Sequence, residues 1–197
     1  MSSSKQNTRE RILKATWKLM IDNNGQGVRM TDIAKHIGIS RQAIYLHFES
    51  RTELMIATTH YVDDVLGLDD RLKSFHALKD GTSMLKEYVH VWGNYIPEIY
   101  AIGKVLIQMK DTDKGAAAAW NDRMLELRKG CNKIISALEK EKKLCSKWSS
   151  PIDAVDMFWT ILSVHNWEQL TKDCGWSNED YIIRMKSMLI SSFIAKK

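Results

Sequence analysis

The sequence predicts an all-α fold, and three observations support that prediction. Only two prolines, Pro97 and Pro151, and ten glycines interrupt the 197 residues, which argues against a sandwich or barrel rich in turns. Apolar residues recur at intervals of three and four, as they do on one face of a helix. Capping residues stand at the ends of these periodic stretches, so we expect a series of helices joined by short loops.

The N-terminal part predicts four helices of decreasing and then increasing length. Asn7 and Glu10 have the spacing of a capping box, and Asn23, Asn24 and Gly25 form a stop signal. Thr31, Ser40 and Ser50 are candidate caps for the three helices that follow. The predicted bounds are Asn7 to Asn23, Thr31 to Ile37, Arg41 to His47, and Ser50 to about Val65.

The remaining sequence predicts longer helices. Ser150 and Pro151 form a start signal, because proline suits the first helical position. Gly175 is a stop, and Ser177 caps the last helix. The predicted stretches are Thr82 to about Met109 with a break near Pro97, Asp113 to Leu138, Pro151 to about Asp173, and Ser177 to Ala195.

The short second and third helices have the residue types of a helix-turn-helix. Ala34 is small where two helices must approach closely, and Gly38 suits a turn that needs a positive φ. The spacing from Ala34 to Gly38 to Ile44 is typical of the motif. The apolar wedge between the helices is expected to consist of Ile33, Ile37, Ile39 and Ile44.

The net charge of +5 lies mainly at the N-terminal end. Residues 1–60 carry nine Lys or Arg against five Asp or Glu, whereas residues 61–197 carry twenty against nineteen. A basic end on a nearly neutral body favours a polyanionic partner such as nucleic acid. A merely solubilising surface remains the alternative on charge alone.

Segments 31–34 (TDIA), 38–40 (GIS) and 44–48 (IYLHF), with Arg51 and Leu54, resemble the N-terminal signature of the TetR family of transcriptional regulators, of the TetR/AcrR type. The family usually has Lys at the position of Arg51 and often Leu or Val at that of Ile44. Segments 116–120 (AAAAW) and 174–177 (CGWS) are similar in cadence to the regulatory domain of one subgroup.

The resemblance implies an N-terminal three-helix helix-turn-helix head, residues 1–50, continuous with a larger helical ligand-binding and dimerisation domain, residues 51–197. Arg41 and Gln42 would read bases in the major groove, where such side chains pair with guanine and adenine. Ser40 would bond a phosphate or cap its helix. The positions that would contact phosphates are Thr31, Tyr45, His47 and Arg51. The expected DNA-binding residues are Thr31, Ser40, Arg41, Gln42, Ala43, Tyr45, His47 and Arg51.

The second half is rich in aromatic residues and methionine, with seven Trp and ten Met in the whole chain. They are interpreted either as core or as the walls of a pocket for a flat or cationic lipophilic ligand. The family resemblance implies such a pocket. The candidate ligand-binding residues are Tyr88, Trp92, Tyr95, Trp120, Met124 and Trp159.

The resemblance implies a ligand-responsive repressor that binds a palindromic operator of double-stranded DNA as a homodimer and is released by a small lipophilic or aromatic effector. It also implies that the last two helices, about 151–173 and 177–195, form the dimer interface. Their apolar residues could serve that interface or the protomer's own core, and they are Val155, Phe158, Leu162, Ile182, Met185 and Leu189.

Other classes of protein have less support. None of the usual nucleophile, phosphate-loop, dinucleotide or zinc-protease motifs occurs, so we expect no enzyme, cofactor or catalytic metal. A helical ligand-binding or scaffold protein of the same fold that no longer binds DNA specifically is the alternative. Three cysteines without metal-ligand spacing, no apolar stretch of membrane-spanning length and no leader pattern predict a bacterial cytoplasmic protein with no membrane partner.

Overall fold

The computed structural model describes residues 2–22 and 28–195, and these ranges contain ten α-helices and one π-helical segment. The all-α prediction is confirmed. The helices are α1 Ser2–Asp22, α2 Met30–Ile37, α3 Arg41–Tyr45, α4 Arg51–Val65, α5 Leu68–Ala77, α6 Gly81–Met109, α7 Lys114–Lys140, α8 Pro151–Ile161, α9 Val164–Glu168 and α10 Asn178–Phe193, with the π-helical segment at Gln169–Asp173.

Side-chain capping is confirmed at three of the predicted helix starts, whereas the Ser150 side chain makes no capping hydrogen bond at the start of α8. The hydroxyls of Ser40, Ser50 and Ser177 each accept a hydrogen bond from the backbone N–H three residues later, at 3.0–3.1 Å. Gly38 and Gly175 have φ of 72° and 73°, the left-handed conformation predicted for helix ends. These signals depend on neighbouring residues only, which is why the sequence shows them.

Two predicted caps in the N-terminal part are wrong. Asn7 lies inside α1, which begins at Ser2, because no proline or glycine precedes Asn7 to stop the helix. Thr31 also lies inside its helix, since Arg29 takes the cap position and its backbone N–H donates to Asp32 at 3.0 Å. The stop predicted at residues 23–25 lies outside the described residues.

Three further elements differ from prediction. Helix α5 was not predicted, and it begins after Gly67, whose φ is 67°. Helix α6 continues through Pro97 without a break, and buried residues on both sides, Ile96 and Ile102, hold it in place. The single helix predicted for 151–173 is wrong, because it ends at Ile161 and a new helix begins after Ser163, whose hydroxyl accepts from Asn166 N at 3.2 Å.

The chain divides into two compact units, which we call unit 1 (Met1–Leu66 with Ile99–Arg123) and unit 2 (Gly67–Glu98 with Met124–Lys197). Residues 51–66 and 99–123 therefore group with the predicted head. The boundary predicted after residue 50 stays a prediction.

The core of unit 1 joins α1–α4 to the second half of α6 and the start of α7. Helix α1 packs against both α2 and α4, and α2 packs against α3. Its fully buried side chains include Ile12, Met20, Ile33, Ile44, Phe48, Leu54, Met55, Leu106 and Ala119.

The core of unit 2 is rich in aromatic side chains. Phe158 and Phe193 lie with ring centroids 5.4 Å apart, and Trp148 stacks on Phe193 at 5.1 Å. The described residues include no helix that is both long and apolar enough to cross a bilayer.

Substitution of Gly38 tests the left-handed conformation assigned to the turn of the helix-turn-helix. A Cβ added there would meet nothing within 4 Å, so the cost of Gly38→Ala is that of placing a side chain at positive φ. We expect Gly38→Ala to lower the free energy of unfolding by about 1–2 kcal/mol. Gly38→Asn should cost less, because asparagine tolerates this conformation better. Urea unfolding measures both, and an alanine variant as stable as the parent would contradict the assignment.

Candidate nucleic-acid interface

Helix α3 is five residues long and is held by its buried side. Ile44 is 0% exposed, and Phe48, just beyond the helix, is 1% exposed. Both lie in the core of unit 1 with Ile33 and Leu54. A helix this short has little stability of its own, so its position depends on this packing.

The opposite side of α3 is open to solvent and carries hydrogen-bonding groups. Arg41 and Gln42 are exposed, as is 40% of Tyr45. The Arg41 guanidinium donates from Nη2 to the Tyr45 hydroxyl at 3.2 Å and lies 5.5 Å from the centre of its ring. The first turn of the predicted reading helix is thus a polar surface above a buried apolar anchor.

The other predicted contacts around α3 lie in mixed surroundings. Thr31 is exposed near the start of α2. The Ser40 hydroxyl is engaged as a cap by Ala43 N, although its remaining donor could still reach a phosphate. Ala43 and His47 are half-buried beside α3.

Arg51 is engaged within the protein. Its Nη1 lies 2.6 Å from Oδ1 of Asp113, which immediately precedes α7. Its Nε donates to the carbonyl of Val28 at 3.1 Å. The side chain is 26% exposed. Its predicted contact with a phosphate stays a prediction, and that contact would have to coexist with these two bonds or replace them.

The described surface of the head is basic. Seven lysine and arginine side chains of its first three helices and their caps are exposed: Arg9, Arg11, Lys14, Lys18, Arg29, Lys35 and Arg41. A field of this sign attracts a phosphate backbone irrespective of sequence.

Two residues of this region were not found from sequence. Leu46 is 76% exposed directly after α3, although its position in the motif gives no sign of this. Asp113 is 62 residues from Arg51 in sequence, and only the folded chain shows that they pair. Asp113 also caps α7, since Ala116 N donates to it at 2.9 Å.

Three predicted ligand-binding aromatics lie together in unit 2. Tyr88, Trp92 and Tyr95 of α6 are buried, and Trp92 makes edge-to-face contacts with both tyrosines at 5.9 and 5.6 Å between ring centroids. The Tyr88 hydroxyl donates to the carbonyl of Leu127 at 3.0 Å. Burial raises the pKa of Tyr88 well above its ordinary value, so it stays a neutral donor.

The other three candidates are half-buried. Trp120 packs against the core of unit 1, whereas Met124 and Trp159 belong to unit 2. The guanidinium of Arg128 lies 6.0 Å from the Trp159 ring. Nε1 of Trp159 is buried without a hydrogen-bond partner among the described residues, which costs stability unless a bound molecule accepts that bond.

Metal binding was not expected, and the described side chains offer little for it. Residues 2–22 and 28–195 contain no group of three or more His, Cys, Asp or Glu side chains placed to hold a metal ion.

Known proteins resemble this chain most clearly in the head. Residues 12–58 match the family model described as bacterial regulatory proteins, tetR family. Among curated proteins, the nucleoid occlusion factor SlmA of Edwardsiella ictaluri is 30% identical over 84 residues, which is 39% of this chain and 42% of that protein. The chain thus spans about two fifths of the length of this relative.

Solved structures resemble the whole chain. A transcriptional regulator from Saccharomonospora viridis, solved in complex with choline, has a TM-score of 0.73 and 16% identity, and the match covers 97% of this chain and 100% of that one. A TetR-family regulator from Marinobacter aquaeolei has a TM-score of 0.64 and 18% identity, with 100% of both chains covered. At such identities the likeness shows the fold. Residues 12–58 therefore match the TetR family of bacterial regulatory proteins, and the whole chain has the fold of these two solved proteins.

Proposed function

We propose that the chain is a transcriptional regulator that binds a palindromic DNA operator as a homodimer in the bacterial cytoplasm. The observation that carries this proposal is the exposed polar side of α3, with Arg41, Gln42 and Tyr45 above the buried Ile44, inside the segment that matches the TetR family. Helix α3 is the second helix of the motif, the one that enters the major groove in such proteins.

The chemistry of these side chains suits direct reading of bases. Arginine pairs with O6 and N7 of guanine, and glutamine pairs with N6 and N7 of adenine. Tyr45 offers its hydroxyl to a phosphate and holds Arg41 through the 3.2 Å bond. Thr31, His47 and the basic side chains of α1 and α2 supply the contacts that position the head on the backbone.

Dimerisation would bring two heads to successive major grooves, about 34–36 Å apart. The six apolar residues considered earlier for the dimer are all buried within the protomer, from Phe158 at 0% to Ile182 at 8% exposure. Four large apolar side chains on α8 and α10 remain exposed and are the better candidates for a symmetric interface: Ile152, Met157, Ile183 and Met188.

An effector would act through unit 2. The aromatic cluster there suits a flat or cationic lipophilic molecule, because ring faces attract cations. The orphaned Nε1 of Trp159 adds a donor that such a molecule could satisfy. The neighbour from Saccharomonospora viridis was solved with choline, which is a cation of this class. Release from DNA needs the effector to bind one state of the dimer more tightly than the other, and a coupling of about 1–3 kcal/mol lowers DNA affinity roughly 5–150-fold.

Repression is the usual consequence of operator binding in this family, and we propose it here. The alternative, a helical ligand-binding or scaffold protein without specific DNA binding, would leave the exposed Arg41 and Gln42 without a role. Experiments on DNA selectivity separate the two.

The first prediction concerns base reading. Bound sequences are selected from random duplex DNA with the full chain, and affinities are then measured for every single-base change in the site. Arg41→Ala should lose about 1–3 kcal/mol of discrimination at one base pair of each half-site. Lys14→Ala is the control, because it removes one positive charge from an exposed position of the same head outside α3. It should weaken binding to all sequences alike, and the same loss of discrimination from both variants would contradict base reading by Arg41.

The second prediction concerns the dimer. Ile183→Glu should shift the protein toward monomers in analytical ultracentrifugation, because a carboxylate buried without a partner costs about 2 kcal/mol or more in each copy. Val65→Glu is the control, since Val65 is 53% exposed on α4, which is not one of the two helices of the proposed interface. A dimer of unchanged strength in the Ile183 variant would place the interface elsewhere.

The third prediction concerns the effector. Choline and benzyltrimethylammonium are titrated into the protein bound to its selected duplex, with release followed by fluorescence anisotropy. Trp159→Phe should weaken the response to an active compound, whereas Trp148→Phe should not, because Trp148 Nε1 already donates to Ser192 O at 2.8 Å. A compound that binds the protein without releasing DNA would count against induction by that class.

A further inference from the structure

Ion pairs near both ends of α4 join it to the first part of α7, and all of these residues lie in unit 1. At the start of α4, Arg51 pairs with Asp113 at the cap of α7. Toward the other end, Asp63 pairs with Arg123, and His60 Nε2 lies 3.0 Å from Oδ2 of Asp122. From Arg51 to Asp63 along α4, the paired residue of α7 advances from Asp113 to Arg123. The helix α4 and the first turns of α7 therefore run in the same direction.

The Arg51–Asp113 pair is built into the fold rather than lying loosely on the surface. Both side chains are mostly shielded, at 26% and 23% exposure. The same carboxylate oxygen of Asp113 accepts from Ala116 N at 2.9 Å, and Arg51 also holds the carbonyl of Val28. A Cβ on Gly115 would lie 2.8 Å from Arg51 Nη1, so the glycine gives the guanidinium its space.

Electrostatics agree with this arrangement. Partial burial would raise the pKa of Asp113, but the Ala116 N–H and the Arg51 guanidinium lower it below its ordinary value. Burial likewise opposes the charge of Arg123, yet Asp122 and Asp63 raise its pKa above its ordinary value. The Asp113 carboxylate and the Arg123 guanidinium are therefore charged at neutral pH.

The orientation of α3 depends on α4, because Ile44 and Phe48 share one core with Leu54 and Met55. We propose that the start of α7 belongs to the DNA-reading unit, and that Asp113 is a positioning residue that holds α4, and through it α3, without touching DNA. This inference rests on the proposed function as a DNA-binding protein.

A competing role for Asp113 predicts the opposite change in DNA affinity when its charge is removed. If Asp113 only withdrew Arg51 from a phosphate, its neutralisation would free the guanidinium and strengthen DNA binding. The dependence of affinity on salt would then become steeper by about one phosphate contact. If Asp113 positions the head, its neutralisation weakens binding and leaves the salt dependence unchanged.

The test compares Asp113→Asn with Asp111→Asn in the full chain on the selected duplex. Asparagine keeps an acceptor for the cap of α7, so the helix start should remain intact. Asp111→Asn is the matched control, because it removes the same charge two residues away. The Asp111 side chain is 84% exposed, and the distance between its Oδ1 and Lys110 Nζ is 4.0 Å, which makes a weak surface pair. We expect Asp113→Asn to bind roughly fivefold more weakly, with base preference and salt slope retained, and the control to stay within about twofold.

Equal or tighter binding by Asp113→Asn than by the control would overturn the proposal. Hydrogen exchange of the free protein supplies an independent reading at the amides of Leu54 and Met55, which should exchange faster in Asp113→Asn than in Asp111→Asn. If the parent protein prefers no duplex, the proposed function fails. In that case, unchanged exchange at these amides in Asp113→Asn would also overturn the proposal that Asp113 holds α4 in position.

Discussion

The burial of Ile44 is the constraint on which the rest of the structure depends. Helix α3 has five residues, too few to be stable in isolation, and this side chain anchors it in the core of unit 1. With one face fixed by packing, the opposite face must point to solvent, and it carries Arg41 and Gln42. The geometry of the reading surface is thus a consequence of apolar packing, and the polar residues add specificity to a position they do not determine.

Polar interactions fix the same unit at its margins. Serine caps start α3 and α4, and ion pairs tie α4 to α7 at two points. Because these pairs are half-buried, each loses less to solvent screening than a surface pair would. Unit 1 therefore combines the three helices of the motif with a part of the chain that begins at Ile99, more than thirty residues after α4.

Short-range chemistry is what the sequence reveals well. Gly38, Ser40 and Gly175 were correctly identified because a cap or a positive φ depends on a few adjacent residues. The uninterrupted course of α6 through Pro97, with buried residues on both sides, was not predicted. Helix α5 and the break after Ile161 were missed or wrong although local signals, Gly67 and the cap Ser163, accompany them. Arg51 is the clearest example of a contact that the sequence does not reveal. The sequence shows a cation at a helix start, and only the fold brings Asp113 to it.

The candidate interface likewise has features that the sequence reveals and features that it does not. The resemblance in segments 31–34, 38–40 and 44–48 identified the family and the helix that would read DNA. It did not identify which apolar residues of α8 and α10 remain exposed, because periodicity alone does not distinguish a core face from an interface face. Nor does it say which aromatic side chains of unit 2 would contact a ligand, since Trp92 already packs against Tyr88 and Tyr95.

The central claim is that α3 reads a DNA sequence, and the most direct measurement is the affinity of the dimer for its selected palindrome and for random duplex across about 50–200 mM salt. Both affinities should fall steeply as salt increases, because phosphate contacts contribute to each. The palindrome should remain about 10³-fold or more tighter throughout, because base contacts distinguish it. Equal affinities for the two duplexes at every salt concentration would contradict the claim.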